Sequence, residues 1–311
     1  MAVSGSLTFQ ALGAGFYHSC ALASDGSAYC WGFNDDGELG DGTLGDRNSP
    51  VGVLGGLRFA IVTASRSHSC ALTAGGVAYC WGANGYGELG DGTITPRVSP
   101  VAVAGGLSLR ALSAGGSHTC GLTAAGAAWC WGANDNGQLG DGTGNTSLSP
   151  VAVAGGLTFQ SVAAGGDHTC GLTAAGAAYC WGYNHYGQLG DGTASDRTSP
   201  LAVLGGLTFR SLSAGQAHTC GVTTAGAAYC WGANGSGRLG DGTVLDRSTP
   251  VVVVGGLTFQ VISAGGDHTC GLIASGSAFC WGDDYFGQLG DGSSATRTSP
   301  VPVSGGIVFG G

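Results

Sequence analysis

The chain has 311 residues, of which 64 are glycine, 43% are apolar and only 9% are charged. The glycines follow no three-residue period, which excludes collagen; they recur at fixed places in a long period, as turns in a folded repeat do. A net charge of −9 with no lysine removes the basic footprint of nucleic-acid or anionic-membrane binding, along with Schiff-base and phosphate-loop lysine chemistry.

No apolar run reaches the roughly 18–20 residues of a membrane helix. The start, Met1-Ala2-Val3-Ser4-Gly5-Ser6, has neither the basic region nor the apolar core of a secretion signal. The sequence repeats itself with a fixed period. Trp31, Trp81, Trp131, Trp181, Trp231 and Trp281 are spaced by 50, each in a Cys-Trp-Gly triplet. His18, His68, His118, His168, His218 and His268 keep the same phase, as do the prolines from Pro50 to Pro300.

The elements of one repeat can be taken in order from residues 151–200. Val151-Ala152-Val153 is a short apolar run closed by a Gly155-Gly156 turn, and Leu157 to Ala164 reads as a strand. Gly165-Gly166-Asp167 turns into a second strand from His168 to Thr173. Ala177 to Gly182 is a third, and a long glycine-rich loop runs from Tyr183 to Pro200. Short β runs bounded by turn residues predict an all-β fold. Four strands per 50 residues make a propeller blade. The expectation is a six-bladed β-propeller of four-stranded antiparallel blades in one domain, 1–311. Its repeats are 1–50, 51–100, 101–150, 151–200, 201–250 and 251–300. Residues 302–309 repeat the phase of 2–9, and 301–311 are expected to close the ring within a monomer.

Each repeat holds two cysteines ten apart: Cys20 and Cys30, Cys70 and Cys80, Cys120 and Cys130, Cys170 and Cys180, Cys220 and Cys230, Cys270 and Cys280. The hairpin tip between them, Ser24-Asp25-Gly26, has glycine at its third place in every repeat, the mark of a three-residue loop. That loop sets Ala23 opposite Ser27, Ala21 opposite Tyr29, and Cys20 opposite Cys30. Counting from the tip makes the cysteines a non-hydrogen-bonded pair about 4.5 Å apart at Cα, within disulfide range. The alternative is a metal site of His18, Cys20 and Cys30, but no fourth ligand recurs with the period. Six disulfides imply an oxidising compartment. The expectation is a secreted or periplasmic bacterial protein whose signal has been removed.

Other motifs carry little chemistry. Asn34-Asp35-Asp36-Gly37-Glu38 lacks the ligand spacing of a calcium loop and reads as a turn. Asp41 and its equivalents recur in all six repeats and Arg47 in five, with Ser147 in the third; an exposed pair there would contribute little. Asp167-His168 and Asp267-His268 stand without a nucleophile elbow. No catalytic residue, metal or cofactor is expected.

The run His168-Thr169-Cys170-Gly171-Leu172-Thr173, then Gly176, Tyr179-Cys180-Trp181-Gly182, Asn184 and Gly187-Gln188-Leu189-Gly190-Asp191-Gly192, resembles the regulator of chromosome condensation repeat. The resemblance covers the whole chain, six times, and implies a propeller of the bacterial extracytoplasmic type. It also implies that the histidine at position 18 and its equivalents is structural, since the family keeps it without the cysteines. No repeat carries an insertion, so nucleotide-exchange activity is not carried over.

The six repeats serve as controls for one another. They differ at 15–17, 33–36 and 44–48 and their equivalents, in the first and third connections of each blade. Those connections carry Phe16, Tyr17, Phe33, Tyr86, Tyr183, His185, Tyr186, Tyr285 and Phe286. Exposed aromatics are binding anchors. Ring closure is expected to gather Phe16, Tyr17, Phe33, Tyr285 and Phe286, with Asp35, Asp36, Asp283 and Asp284 around them. Two readings follow. One is a non-enzymatic protein-binding scaffold for an unidentified protein partner. The other is a symmetric or engineered repeat module without an evolved ligand, which the near-identity of the repeats supports.

Overall fold

The computed structural model describes residues 7–306. In the first blade, β1 (Phe9–Ala14), β2 (His18–Ala23), β3 (Ala28–Gly32) and β4 (Arg47–Gly52) pair in sequence order, each antiparallel to the next. Sheets over 61–102, 109–152, 161–202, 209–252 and 259–302 repeat that order. The fold is therefore a six-bladed β-propeller of four-stranded blades. The chain divides into two compact halves. One holds residues up to 135 with 139–158; the other holds 136–138 and residues from 159. Part of the overlap between the two ends, residues 2–6 and 307–311, lies outside the described residues.

The hairpin register follows from its tip. Ala23 N donates to Ser27 O at 2.9 Å, Gly26 N donates to Ala23 O at 2.9 Å, and Gly26 takes φ +80°. Ala21 then faces Tyr29 and Cys20 faces Cys30. All twelve cysteines form disulfides within their own repeats. Cys20 is bonded to Cys30, Cys70 to Cys80 and Cys120 to Cys130. Cys170 is bonded to Cys180, Cys220 to Cys230 and Cys270 to Cys280. The Cα atoms are 4.1 Å apart in each pair, a little closer than the register alone suggests. The sulfurs that a metal site would have needed are bonded to each other.

Two expected boundaries move. The first strand of the fourth blade covers only Ser161–Ala164, while Phe159 just before it is 2% exposed and part of the core. The fourth strand begins inside the expected loop, at Arg197, and runs through Pro200 to Ala202. Proline is tolerated there because this strand is the outer edge of its sheet and its N–H side needs no partner.

Successive blades within each half share one core. Cys20, Leu22, Cys30 and Leu39 of the first blade pack with Phe59, Val62 and Trp81 of the second. The same joint forms between the second and third, fourth and fifth, and fifth and sixth blades. Gly40, at φ +65°, lies against the Trp81 ring; a Cβ there would meet the indole at 2.9 Å. Trp81, Trp131, Trp181, Trp231 and Trp281 are fully buried, and burial of each contributes about 5 kcal/mol by area. Leu12, on a face of the first blade that no other blade of its half covers, is 65% exposed, whereas its equivalent Val62 is 8% exposed.

A polar relay crosses each joint beside this core. His18 Nε2 lies 2.7 Å from Ser69 Oγ of the next blade. The Ser69 hydroxyl donates to the Glu38 carbonyl at 2.9 Å, and the Trp81 indole N–H donates to the same carbonyl at 2.8 Å. With its proton spent, the serine can only accept, so His18 carries its proton on Nε2. His68 meets Thr119, His168 meets Thr219 and His218 meets Thr269 in the same way, at 2.8–2.9 Å. Burial lowers His18 and His118 to about 4 and His68 to about 3, so these rings are neutral at pH 7. The histidines hold blades together.

Candidate functional site

The first and third connections of each blade meet at one end of its strands, where the backbone stitches them together. Phe33 N donates to Tyr17 O at 3.0 Å, and Ala83, Ala133, Tyr183, Ala233 and Asp283 make the equivalent bond in the other five blades. The first connection is also tied to its neighbour, with Phe16 N donating to Ser65 O at 3.0 Å.

The long third connection is ordered from within. Asn34, fully buried, donates through Nδ2 to the carbonyls of Thr43 and Gly45 at 3.0 and 3.1 Å and accepts from Leu39 N through Oδ1 at 2.9 Å. Asp41 Oδ1 accepts from the Thr43 amide and hydroxyl, while Oδ2 accepts from Arg47 Nε and Nη2. The expected Asp41–Arg47 pair thus forms, but not as an exposed one. Its carboxylate side chain is 3% exposed and the other four Asp–Arg pairs have carboxylates 1–6% exposed. Burial pushes the Asp41 carboxyl up, but the bonds from Thr43 and Arg47 outweigh it and hold the group below its ordinary range.

Two repeats depart from this lattice. In the third, Ser147 replaces the arginine and turns to the Ser149 carbonyl at 2.7 Å. In the sixth, buried Asp284 replaces the asparagine. It keeps the bond from Leu289 N at 2.9 Å, but a carboxylate has no N–H to offer the carbonyls of 293 and 295.

The diverse side chains stand on this frame. In the first half, Tyr17 lies between Phe16 and Phe33 with ring centroids 6.2 and 6.0 Å away. All three are exposed, as is Tyr86 of the second blade. In the second half, Tyr183 is half-buried beneath His185 and Tyr186, with centroids 4.6 and 6.2 Å away; burial, then the neighbouring Tyr186, raises its hydroxyl's pKa. Tyr186 is exposed, while Tyr285 and Phe286 are 76% and 86% exposed and stack edge-to-face at 4.8 Å. Asp35, Asp36 and Asp283 border these loops, and Asp284 lies beneath its own.

The joint relay was not foreseen in the sequence, although its signal was present. Ser or Thr follows the histidine in all six repeats, a constancy that a residue paired only within its own strand would not need.

No curated protein matches the chain in sequence. Solved structures do. Human WBSCR16 superposes with a TM-score of 0.88 at 22% identity, over 97% of this chain and 83% of that one. Prp20p from Saccharomyces cerevisiae gives 0.83 at 23% identity, over 95% and 77%. The ectodomain of the receptor kinase CR4 from Physcomitrella patens gives 0.60 at 27% identity, over 90% and 63%. The RCC1-like domain model matches residues 2–310. Together with the Cys-Trp-Gly repeat, the four-stranded blades and the interblade tryptophans, this match shows that the chain belongs to the RCC1-like domain family.

Proposed function

We propose that the chain is a non-enzymatic protein-binding scaffold working in an oxidising, extracytoplasmic compartment, secreted or periplasmic. The observation that carries this reading is the exposed Phe16–Tyr17–Phe33 cluster, which spans a first connection bonded through Tyr17 O to Phe33 N and a third connection whose backbone is fixed by buried Asn34 and Asp41. Aromatic side chains pre-positioned on a rigid frame lose little entropy on binding and make good anchors. Tyr285 and Phe286 in the other half have the same character. The yeast relative Prp20p has been characterised for binding to Gsp1p and histones, so protein binding has a precedent on this fold.

Six intrachain disulfides support the oxidising compartment. The test is alanine at Phe33, Tyr285 and Phe286. Affinity for a partner is expected to fall by about 2 kcal/mol or more in total with the melting temperature unchanged. A partner that binds the triple variant as tightly as the parent chain contradicts the reading.

A further inference from the structure

In the first half, the loop edge of the first three blades encloses a polar cleft of about 480 Å³, lined by Asp36, Arg66, Ser67, Tyr86, Glu88 and Ser117. Gly85 lines it without a side chain, and the space its Cβ would enter is open. Where Gly85 stands, the fourth and sixth repeats carry His185 and Tyr285.

Glu88 is the informative residue. It is 95% buried by the 5% exposure of its whole residue. One carboxylate oxygen, Oε2, accepts from Tyr86 N at 2.9 Å. The other makes no hydrogen bond among the described residues. The bond to the amide two residues back does not require a carboxylate. Gln138, Gln188 and Gln288 make it through Oε1 at 2.9–3.1 Å in the third, fourth and sixth repeats. The joint uses only the backbone carbonyl at this position. A buried negative charge therefore replaces a neutral side chain that does the same structural work, and burial, with Asp36 adding to it, disfavours that charge. Of the charged groups around the cleft, Arg66 is exposed and forms no ion pair among the described residues. No cluster of three metal-ligating side chains is present among the described residues.

We propose that this cleft receives a lysine side chain of the protein partner, its ammonium set against the free Glu88 oxygen and Asp36. The inference rests on the protein-binding reading and gives the partner's chemistry: a basic segment presenting a group this chain lacks altogether, since it contains no lysine. With one Glu88 oxygen already committed to Tyr86 N, no two-oxygen face remains for a bidentate guanidinium. A point charge with three donors suits the site better. Ser67 and Ser117 supply hydroxyl acceptors for the remaining donors.

The test is a nuclear magnetic resonance titration of the full chain with Nα-acetyl-lysine methylamide, and in parallel with the norleucine analogue that lacks the ammonium. Saturable shifts are expected at 36, 66–67, 84–88 and 116–117 with the lysine compound and not with the norleucine one. Glu88→Gln is expected to weaken binding about tenfold while folding normally, because three repeats already carry glutamine there. Arg66→Gln, which removes the opposing charge, is expected to tighten it. Equal shifts with norleucine, shifts centred elsewhere, or an unaltered titration in Glu88→Gln would each overturn the assignment. The alanine test at Phe33, Tyr285 and Phe286 reads protein binding rather than amine binding, so failure of either reading shows separately.

Discussion

The joints between blades and the loop edges above them are built from the same repeats under opposite rules. At the joint, histidine, the cysteine pair and tryptophan are the same in all six repeats, and Ser or Thr always follows the histidine. A few residues away, position 16 and its equivalents read Phe, Arg, Gly, Gly, Gln, Gly, and position 36 reads Asp, Tyr, Asn, Tyr, Ser, Phe. The diverse loops are not loose loops. They stand on Asn34, Asp41 and Arg47, which are nearly as constant as the joint. Constancy marks side chains whose partner lies elsewhere in the protein. Diversity is concentrated in the first and third connections, outside the joint.

The strongest way to break that contrast is acid. The buried histidines have pKa values lowered from 6.5, so neutral rings contribute full stability above pH 6.5, and that contribution is lost as pH falls toward about 4. Each such histidine is expected to cost about 2 kcal/mol between pH 7 and pH 5, several kcal/mol for the set. Glu38 and Glu88, raised chiefly by burial, oppose this, because protonation relieves their burial penalty as pH falls through their raised pKa toward 4.5. Denaturant unfolding at pH 7 and pH 5 reads the difference; pH-independent stability across that range would remove the histidines from the account. Next in size, Trp131→Ala is expected to destabilise by about 4 kcal/mol, since it empties a joint and leaves the Glu88 carbonyl with one donor fewer.

A smaller effect sharpens the contrast from the loop side. Asp284→Asn is expected to stabilise by about 1 kcal/mol by restoring the Nδ2 bonds that five repeats make; no gain in melting temperature would show that the sixth loop is held in another way. The smallest stability effects are expected at the aromatics. Alanine at Phe16, Tyr17 or Phe33 should change stability by less than about 1 kcal/mol each, which calorimetry can resolve. A larger loss would make them packing residues.

The hairpin was legible because its determinants are local: the tip glycine, the small residue opposite the ring at 29, and two cysteines at matching places. The relay was not, because Ser69 sits 51 residues from His18 and the group that both Ser69 and Trp81 bond is a backbone carbonyl, which leaves no trace in residue type. The Asp41–Arg47 pair was visible as a pattern, yet its burial depended on the loop folding over it. The extent of the fourth strand was masked by Pro200, a strand breaker everywhere except on an edge.

A hydrogen-exchange footprint of a bound protein partner on the full chain tests whether the diverse loops form the docking surface. Protection is expected at the first and third connections, around 15–17, 33–36 and 283–288, and lost when Phe33, Tyr285 and Phe286 are alanine. Protection centred instead on the uniform hairpin tips, around Asp25-Gly26 and their equivalents, would contradict it.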